Sequence, residues 1–516
     1  MTHANVHNKR HAAWVIFLLA ISIIYPAIPA SAEVVIKDSE SYVFNLSSSV
    51  NTDFIMMENN VDLDTKQRDD RVQYIGATYN FGFDMKFKNG GPQLFIKLER
   101  MGPYDYDMPL IIHNTLQTYI GKIRPYNEAD LLPKVAEYWL DLPIADTPFR
   151  FKGGLFGYEV GHDISLGGYY RNYALSLYSE SENFKWHFYY CWPDIANKNI
   201  LGPQIKQEKE QGINYERSKA YFFGTDASFT FRNNTIQPYA GILLDRTDTR
   251  REDAFLTPTR EDTLGTVGIA WYATIDKLSL SAEWARNFGN AASADADFQD
   301  VEHRGYMVYA DASYDLDKLN PHSRFIYASG NKITDDMITN GDTLYNSSKN
   351  NAFSVYSPFN ANLADSVYSG IENLPLVAMG AGWGLNYGVL RPSTFWDPRT
   401  IENLVMVNAG FDYSITDKAS VTIDWWYLSS AEKGIGMYNG IPKVCSPDLG
   451  HEVDLYFSYA FTKHITFSVF GGVFFPGAFY REERDDTLGS LFTPFVRGDG
   501  KADPAFQLET TLTLSF

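Results

Sequence analysis

The chain has 516 residues, a formal net charge of −19 and only two cysteines, which excludes a disulfide scaffold and argues against a nucleic-acid partner. Aromatics make up 15% of residues, led by 34 Tyr and 35 Phe, yet mean hydropathy is −0.27. That balance is too polar for a bundle of membrane helices and suits strands with one oily and one wet face.

Lys9, Arg10 and His11 precede the apolar run Ala12 to Ile24, then Pro26 and Ala30-Ser31-Ala32. This pattern predicts a secretory signal peptide over 1–32, with cleavage after Ala32. The run is shorter than the ~20 residues that span a bilayer, which argues against a helical anchor. Residues 1–32 carry Lys9 and Arg10 and no acid, so the remainder has 42 Lys+Arg against 63 Asp+Glu, a net charge of −21. Residues 33–516 then read as one domain.

From Tyr42 onward, apolar and polar residues alternate with the two-residue period of a strand. Residues 42–57 place Tyr42, Phe44, Leu46, Val50, Phe54 and Met56 on one face, and 72–88 do the same with Ile75, Ala77, Tyr79, Phe81, Phe83, Met85 and Phe87. Further strands are predicted at 93–101, 133–143, 148–158, 168–178, 184–192, 218–231, 235–245, 263–275, 278–289, 304–315, 322–330, 402–415, 419–431, 449–461, 465–476 and 506–516. The total is eighteen, with 115–123 and 374–387 as further candidates.

Short turns (233–234, 276–277, 416–418, 462–464) alternate with long polar loops (193–217, 246–262, 290–303, 331–401, 432–448, 477–505). Together these features predict an all-β fold: a transmembrane antiparallel β-barrel of about 18 strands, with short periplasmic turns, long extracellular loops and both termini in the periplasm. In the last strand Leu508, Thr510, Leu512 and Leu514 alternate with Gln507, Glu509, Thr511 and Thr513, as lipid and lumen demand of a closing strand. The expected partners are outer-membrane lipid and lipopolysaccharide, the barrel-assembly machinery through the C-terminal strand, and a periplasmic secretion component.

With the apolar face toward lipid, the charges of the other face are grouped. The first seven strands turn Lys86, Lys97, Arg150, Lys152 and Lys185 inward, together with Asp84, Glu99, Glu137 and Asp141. The later strands turn in Asp226, Glu283, Asp311, Asp412, Asp424, Glu452, Asp454 and Glu509. A basic wall facing an acidic wall would orient a charged solute in the lumen. Glu509 is expected to meet Asp53 at the seam between last and first strands. Loop 331–401, with Trp383, Phe395 and Trp396, is long enough either to narrow the pore or to cap it.

Catalysis is not supported. Seven histidines follow residue 32, at 113, 162, 187, 303, 322, 451 and 464, and no G-x-S-x-G, HExxH or CxxC occurs. No catalytic residue, metal ligand set or cofactor is assigned; His187 reads as a polar lining residue and the acidic run from Glu482 to Asp486 as a solvated face. Cys191 and Cys445 could pair, or stay reduced.

LGHEVDLYFSY (449–459) and VFFPGAFY (473–480) together resemble the penultimate hairpin of the alginate-export family of outer-membrane barrels. There a Gly-x-Glu-hydrophobic-Asp strand precedes a strand ending in Pro-Gly. Asp69-Asp70-Arg71, AEYWLDLP (136–143) and the basic RFKGG (150–154) resemble its N-terminal half more loosely. The resemblance implies an eighteen-stranded monomeric barrel passing anionic polysaccharide through a pore lined with basic residues. Just after RFK, where the family's Gly-Arg-Gln stretch is expected, this chain reads GGLFGYEVGHD, without the arginine. The function expected is an outer-membrane channel for a charged hydrophilic solute or an anionic polysaccharide. The rival expectations are a barrel sheath around a periplasmic redox or secretion partner and a barrel hydrolase.

Overall fold

The computed structural model describes residues 34–58, 72–100, 134–162, 164–192, 220–246, 259–293, 300–332, 349–351, 353, 403–433, 435–438, 441–482 and 500–515. The expected signal segment, the candidate strands 115–123 and 374–387, and most of loop 331–401 lie outside the described residues.

Eighteen strands form the wall. In chain order they are β1 (Tyr42–Glu58), β2 (Val72–Phe87), β3 (Gln93–Arg100), β4 (Lys134–Pro143), β5 (Phe149–Glu159), β6 (Gly167–Glu180), β7 (Phe184–Trp192), β8 (Ala220–Phe231) and β9 (Asn234–Asp245). Then follow β10 (Thr259–Ile275), β11 (Leu278–Ser293), β12 (Tyr306–Tyr314), β13 (Leu319–Ala328), β14 (Leu404–Thr416), β15 (Ala419–Ser429), β16 (Asp448–Thr462), β17 (Ile465–Pro476) and β18 (Ala505–Ser515). Each pairs antiparallel with its neighbours in sequence. β18 pairs with β1 from Ser49↔Ser515 to Glu58↔Phe506, which closes the cylinder and leaves no edge to aggregate. A short strand, Val34–Asp38, pairs with β1 from Val34↔Leu46 to Asp38↔Val43, on the stretch of β1 beyond the last residue of β18.

The predicted strands and the observed ones agree to within a few residues at most ends. β10 starts at Thr259 rather than 263 and β13 at Leu319 rather than 322. Loop 432–448 contains a small hairpin, Ile435–Tyr438 with Ile441–Val444. Among the described residues no helix is long and apolar enough to cross a membrane.

The alternation sorts side chains as lipid requires. Phe81, Phe83, Leu140, Phe151, Leu175, Ile269, Phe411, Val453 and Leu455 are exposed on the outside, and their sequence neighbours point inward. Rings gather at both rims of the exterior. Tyr42–Phe87, Phe149–Trp186 and Phe184–Phe229 lie near the short turns, at centroid separations of 6.0, 6.1 and 5.2 Å. Tyr190–Phe223 and Tyr306–Tyr327, at 4.8 and 5.5 Å, lie near the long loops. Two such belts match the two interfaces of a bilayer.

The inner face is graded along the barrel axis. Toward the long loops it carries Phe222, Met307, Ile326, Leu404, Met406, Leu428 and Phe474, all buried in one apolar cluster with Phe353, Phe479 and Tyr480 from the connections. Toward the short turns it becomes polar and more open.

Candidate functional site

The basic candidates occupy the wall from β2 to β7, on the side opposite the lipid-facing rings, and none of the five is buried. Lys86 and Lys185 are exposed near the short-turn rim. Lys97 sits between Gly82 and Glu137 in register and pairs with Glu99 at 3.2 Å. Lys152 holds its ammonium 4.0 Å from the Trp139 ring centroid and 4.5 Å from that of Phe156, a pair of cation–π contacts on the inner face. Arg150 is fully engaged. Its Nε donates to Asp141 at 2.8 Å and its terminal nitrogens donate to the carbonyls of Gly90 and Gly91 at 3.0 Å, tying β5 to the turn after β2. Tyr178 donates to the other oxygen of Asp141.

The acidic candidates behave differently. Asp226, Glu283, Asp424, Glu452 and Asp454 are buried, and only Asp311, Asp412 and Glu509 are half-buried. Asp226 accepts from Tyr158 Oη and Gln237 Nε2, both at 3.0 Å, and contacts His187 Nδ1 at 3.3 Å. Asp311 accepts from Arg324 Nε at 2.8 Å. Asp424 contacts His322 Nε2 at 2.7 Å and accepts from Asn408 Nδ2 at 2.8 Å, and it stands directly opposite Asp454 on β16. Asp412 contacts the other ring nitrogen of His322 at 3.5 Å.

At the seam, Glu509 is opposite Ile55 and Phe470, whereas Asp53 is opposite Thr511. The two acids are therefore diagonal neighbours in register; the Asp53 side chain lies outside what the structure describes.

Glycines on the inner face make several of these contacts possible. His322 and Asp424 are separated by a whole strand, β14, whose residue between them is Gly410. A Cβ at 410 would collide with both side chains. Tyr239 on β9 crosses β10 over Gly268 in the same way and donates to Glu283 on β11 at 2.5 Å. A missing side chain thus lets a long one reach across the sheet.

The connection between β5 and β6 folds inward, a feature the strand periodicity does not reveal. Val160, His162, Ile164, Ser165 and Leu166 are all buried. His162 contacts Glu283 through its backbone N–H at 2.6 Å and through Nδ1 at 2.9 Å, and Ser165 Oγ donates to the same carboxylate at 2.5 Å. Two signals for it exist in the sequence. This connection is short on the rim where the others are long, and its few residues include Val160, Ile164 and Leu166.

Of the expected constricting loop 331–401, only residues 331–332, 349–351 and 353 are described, and Phe353 is buried in the apolar cluster. Cys191 and Cys445 are buried and form no disulfide. Among the described residues no group of three or more His, Cys, Asp or Glu is placed to hold a metal ion.

Outside the wall, Lys277 and Asp317 join two short turns at 3.0 Å, and the Asp317 carboxylate holds the Lys277 ammonium above its ordinary pKa.

A search of curated proteins finds no match. Among solved structures, Pseudomonas aeruginosa OpdQ is similar at 8% identity over 92% of this chain and 98% of that one, with a TM-score of 0.48. Acinetobacter baumannii OccAB2 is similar at 8% identity, 92% and 98% coverage and a TM-score of 0.47. The outer membrane protein opdK from Pseudomonas aeruginosa gives 8% identity, 91% and 99% coverage and a TM-score of 0.46. The profile of the family described as alginate export matches residues 145–493, about two thirds of the sequence. The chain therefore belongs to the alginate export family and is a bacterial outer-membrane β-barrel channel.

Proposed function

We propose that the channel passes hydrophilic anions, either small carboxylated solutes or a strand of anionic polysaccharide, and that the wall from β2 to β7 sets the preference. One observation carries this reading. All five basic candidates keep access to solvent, whereas five of the eight acidic ones are buried. A carboxylate under other side chains, with donor dipoles aimed at its oxygens, is partly compensated and out of contact with the solute, whereas an exposed ammonium meets the solute directly. With Asp84, Glu99 and Glu137 of the basic wall, which are half-buried, six of the twelve inward acids named keep access beside the five bases, so the solute meets a lumen much less acidic than the composition suggests. Membership of a family described by alginate export supports the polysaccharide form of the proposal.

We read the molecule as a conduit and not as a catalyst. The ring of His187 bonds Asp226 and Glu180, so among the described residues it has no hydroxyl or thiol to activate.

Ion selectivity in planar bilayers tests the proposal. A lysine about 8 Å from the path contributes about 0.5 kcal/mol in water, a factor of roughly two in relative permeability. Replacing Lys86, Lys97 and Lys185 together with Gln is expected to lower the anion-to-cation permeability ratio roughly threefold to tenfold, less at high salt. Arg150 is left in place because its guanidinium holds a turn. An unchanged reversal potential would show that these residues do not face the conducting path.

A further inference from the structure

We infer that Glu283 is the positioning residue of a constriction: it latches the connection between β5 and β6 across the lumen and so fixes the size limit for solutes. The inference rests on the channel itself and not on the anion preference.

The geometry is specific to a latch. β6 and β11 are five strands apart in the eighteen-stranded cylinder, so a segment leaving β5 and entering β6 reaches past β7 to β10 on the inside to touch Glu283. Glu283 is 2% exposed, and both of its oxygens are used. One accepts from Ser165 Oγ and Tyr239 Oη, each at 2.5 Å. The other faces the backbone N–H of His162 at 2.6 Å and its Nδ1 at 2.9 Å. Four contacts fill the acceptor capacity of a carboxylate, and three of them come from the connection itself. A lone carboxylate buried on a barrel wall is costly, and the connection supplies the partners that make it tolerable.

The seat is shaped to match. Gly161 has φ +61°, and a Cβ there would lie 2.6 Å from a Glu283 oxygen, so neither the backbone nor the space admits a side chain. Its carbonyl accepts from Tyr272 Oη at 2.5 Å, and its N–H donates to Gln237 at 3.3 Å. The His162 ring lies 4.6 and 4.5 Å from the rings of Tyr272 and Tyr309. Leu166 packs over Gly241, where a Cβ would be 2.7 Å away. Polar and apolar contacts from β9, β10, β11 and β12 therefore converge on one short segment.

Polymer exclusion in planar bilayers tests this. Single-channel conductance is recorded with the full chain in the presence of polyethylene glycols of increasing mass, for wild type and Glu283→Ala. The variant is expected to conduct about twofold or more above wild type and to admit larger polymers. The double variant His162→Ala/Ser165→Ala truncates the latch from the connection's side and leaves the wall intact. It is expected to move the cutoff the same way, and it decides the matter if Glu283→Ala fails to assemble. A cutoff unchanged in the double variant, with heat-modifiable gel mobility retained, overturns the inference. So does a shift in reversal potential alone, since that would make Glu283 a charge on the path and not an anchor. Because polymer cutoff does not depend on ion sign, loss of the anion preference would leave this result standing.

Discussion

The wall from β2 to β7 and the wall from β8 to β18 are built by the same alternation, yet the basic charges of the first keep access to solvent and most of the acidic charges of the second do not. On the first, Lys86 and Lys185 stay exposed, and Lys97 and Lys152 lie half-buried against Glu99 and Trp139. On the second, Asp424, Glu452 and Asp454 are wholly buried, and Asp226 and Glu283 nearly so. The difference shows that inward charges on a barrel can serve two purposes. Some keep access to solvent, and others are packed under neighbouring side chains beside the apolar cluster of the inner face. Burial thus removes half of the named inward acids from contact with solvent and none of the named bases.

The largest expected effect comes from breaking the buried acidic wall. Asp424→Ala removes the shorter-range partner of both His322 and Asn408 and leaves these polar groups buried with only Asp412 and the Trp425 carbonyl, at a cost of about 3–5 kcal/mol. Denaturant midpoints of the barrel folded into vesicles would measure it. A loss below 1 kcal/mol would mean that water reaches this cluster, and the two walls would then be alike. Val453→Lys, one residue from Asp454 but on the lipid side, is expected to cost about 2–4 kcal/mol near the bilayer midplane. The same substitution tolerated without loss would put 453 inside and reverse the register of β16. Gly410→Ala should cost about 1–3 kcal/mol by driving His322 and Asp424 apart, with no charge changed. Its effect separates the contact from the charges that make it.

Strand number, strand faces and the rhythm of short and long connections were legible because they depend on a local two-residue period and on turn residues. A resemblance confined mainly to one hairpin, Gly450-x-Glu452-Val453-Asp454 with Pro476-Gly477, pointed to the family that residues 145–493 match. Burial was not legible. Whether Glu283 faces water or a latch depends on a segment more than a hundred residues earlier, and whether His322 reaches Asp424 depends on Gly410 between them in space. Alternation says which way a side chain points and nothing about what lies in front of it. The inward fold after β5 that brings His162 to Glu283 left no mark in the alternation, which ends before it.

The comparison is sharpened most directly by a probe that changes stability least. Cys191 and Cys445 are 0% and 2% exposed, so the folded wild-type barrel should react slowly with a charged, membrane-impermeant thiol reagent, and its own cysteines serve as buried controls. Lys86→Cys and Lys185→Cys place thiols at exposed inner positions, where substitution should alter stability by less than about 0.5 kcal/mol, and both are expected to be modified rapidly. Glu452→Cys puts a thiol where the opposite wall is buried, and it should react no faster than wild type. The thiolate is the reacting species, so labelling rates compared at one pH report access to the aqueous lumen together with thiol ionisation. Denatured samples of each variant supply the rate for full access. If Glu452→Cys were modified as fast as Lys86→Cys, the acidic wall would belong to the path after all, and the anion preference would have to come from something other than unequal burial.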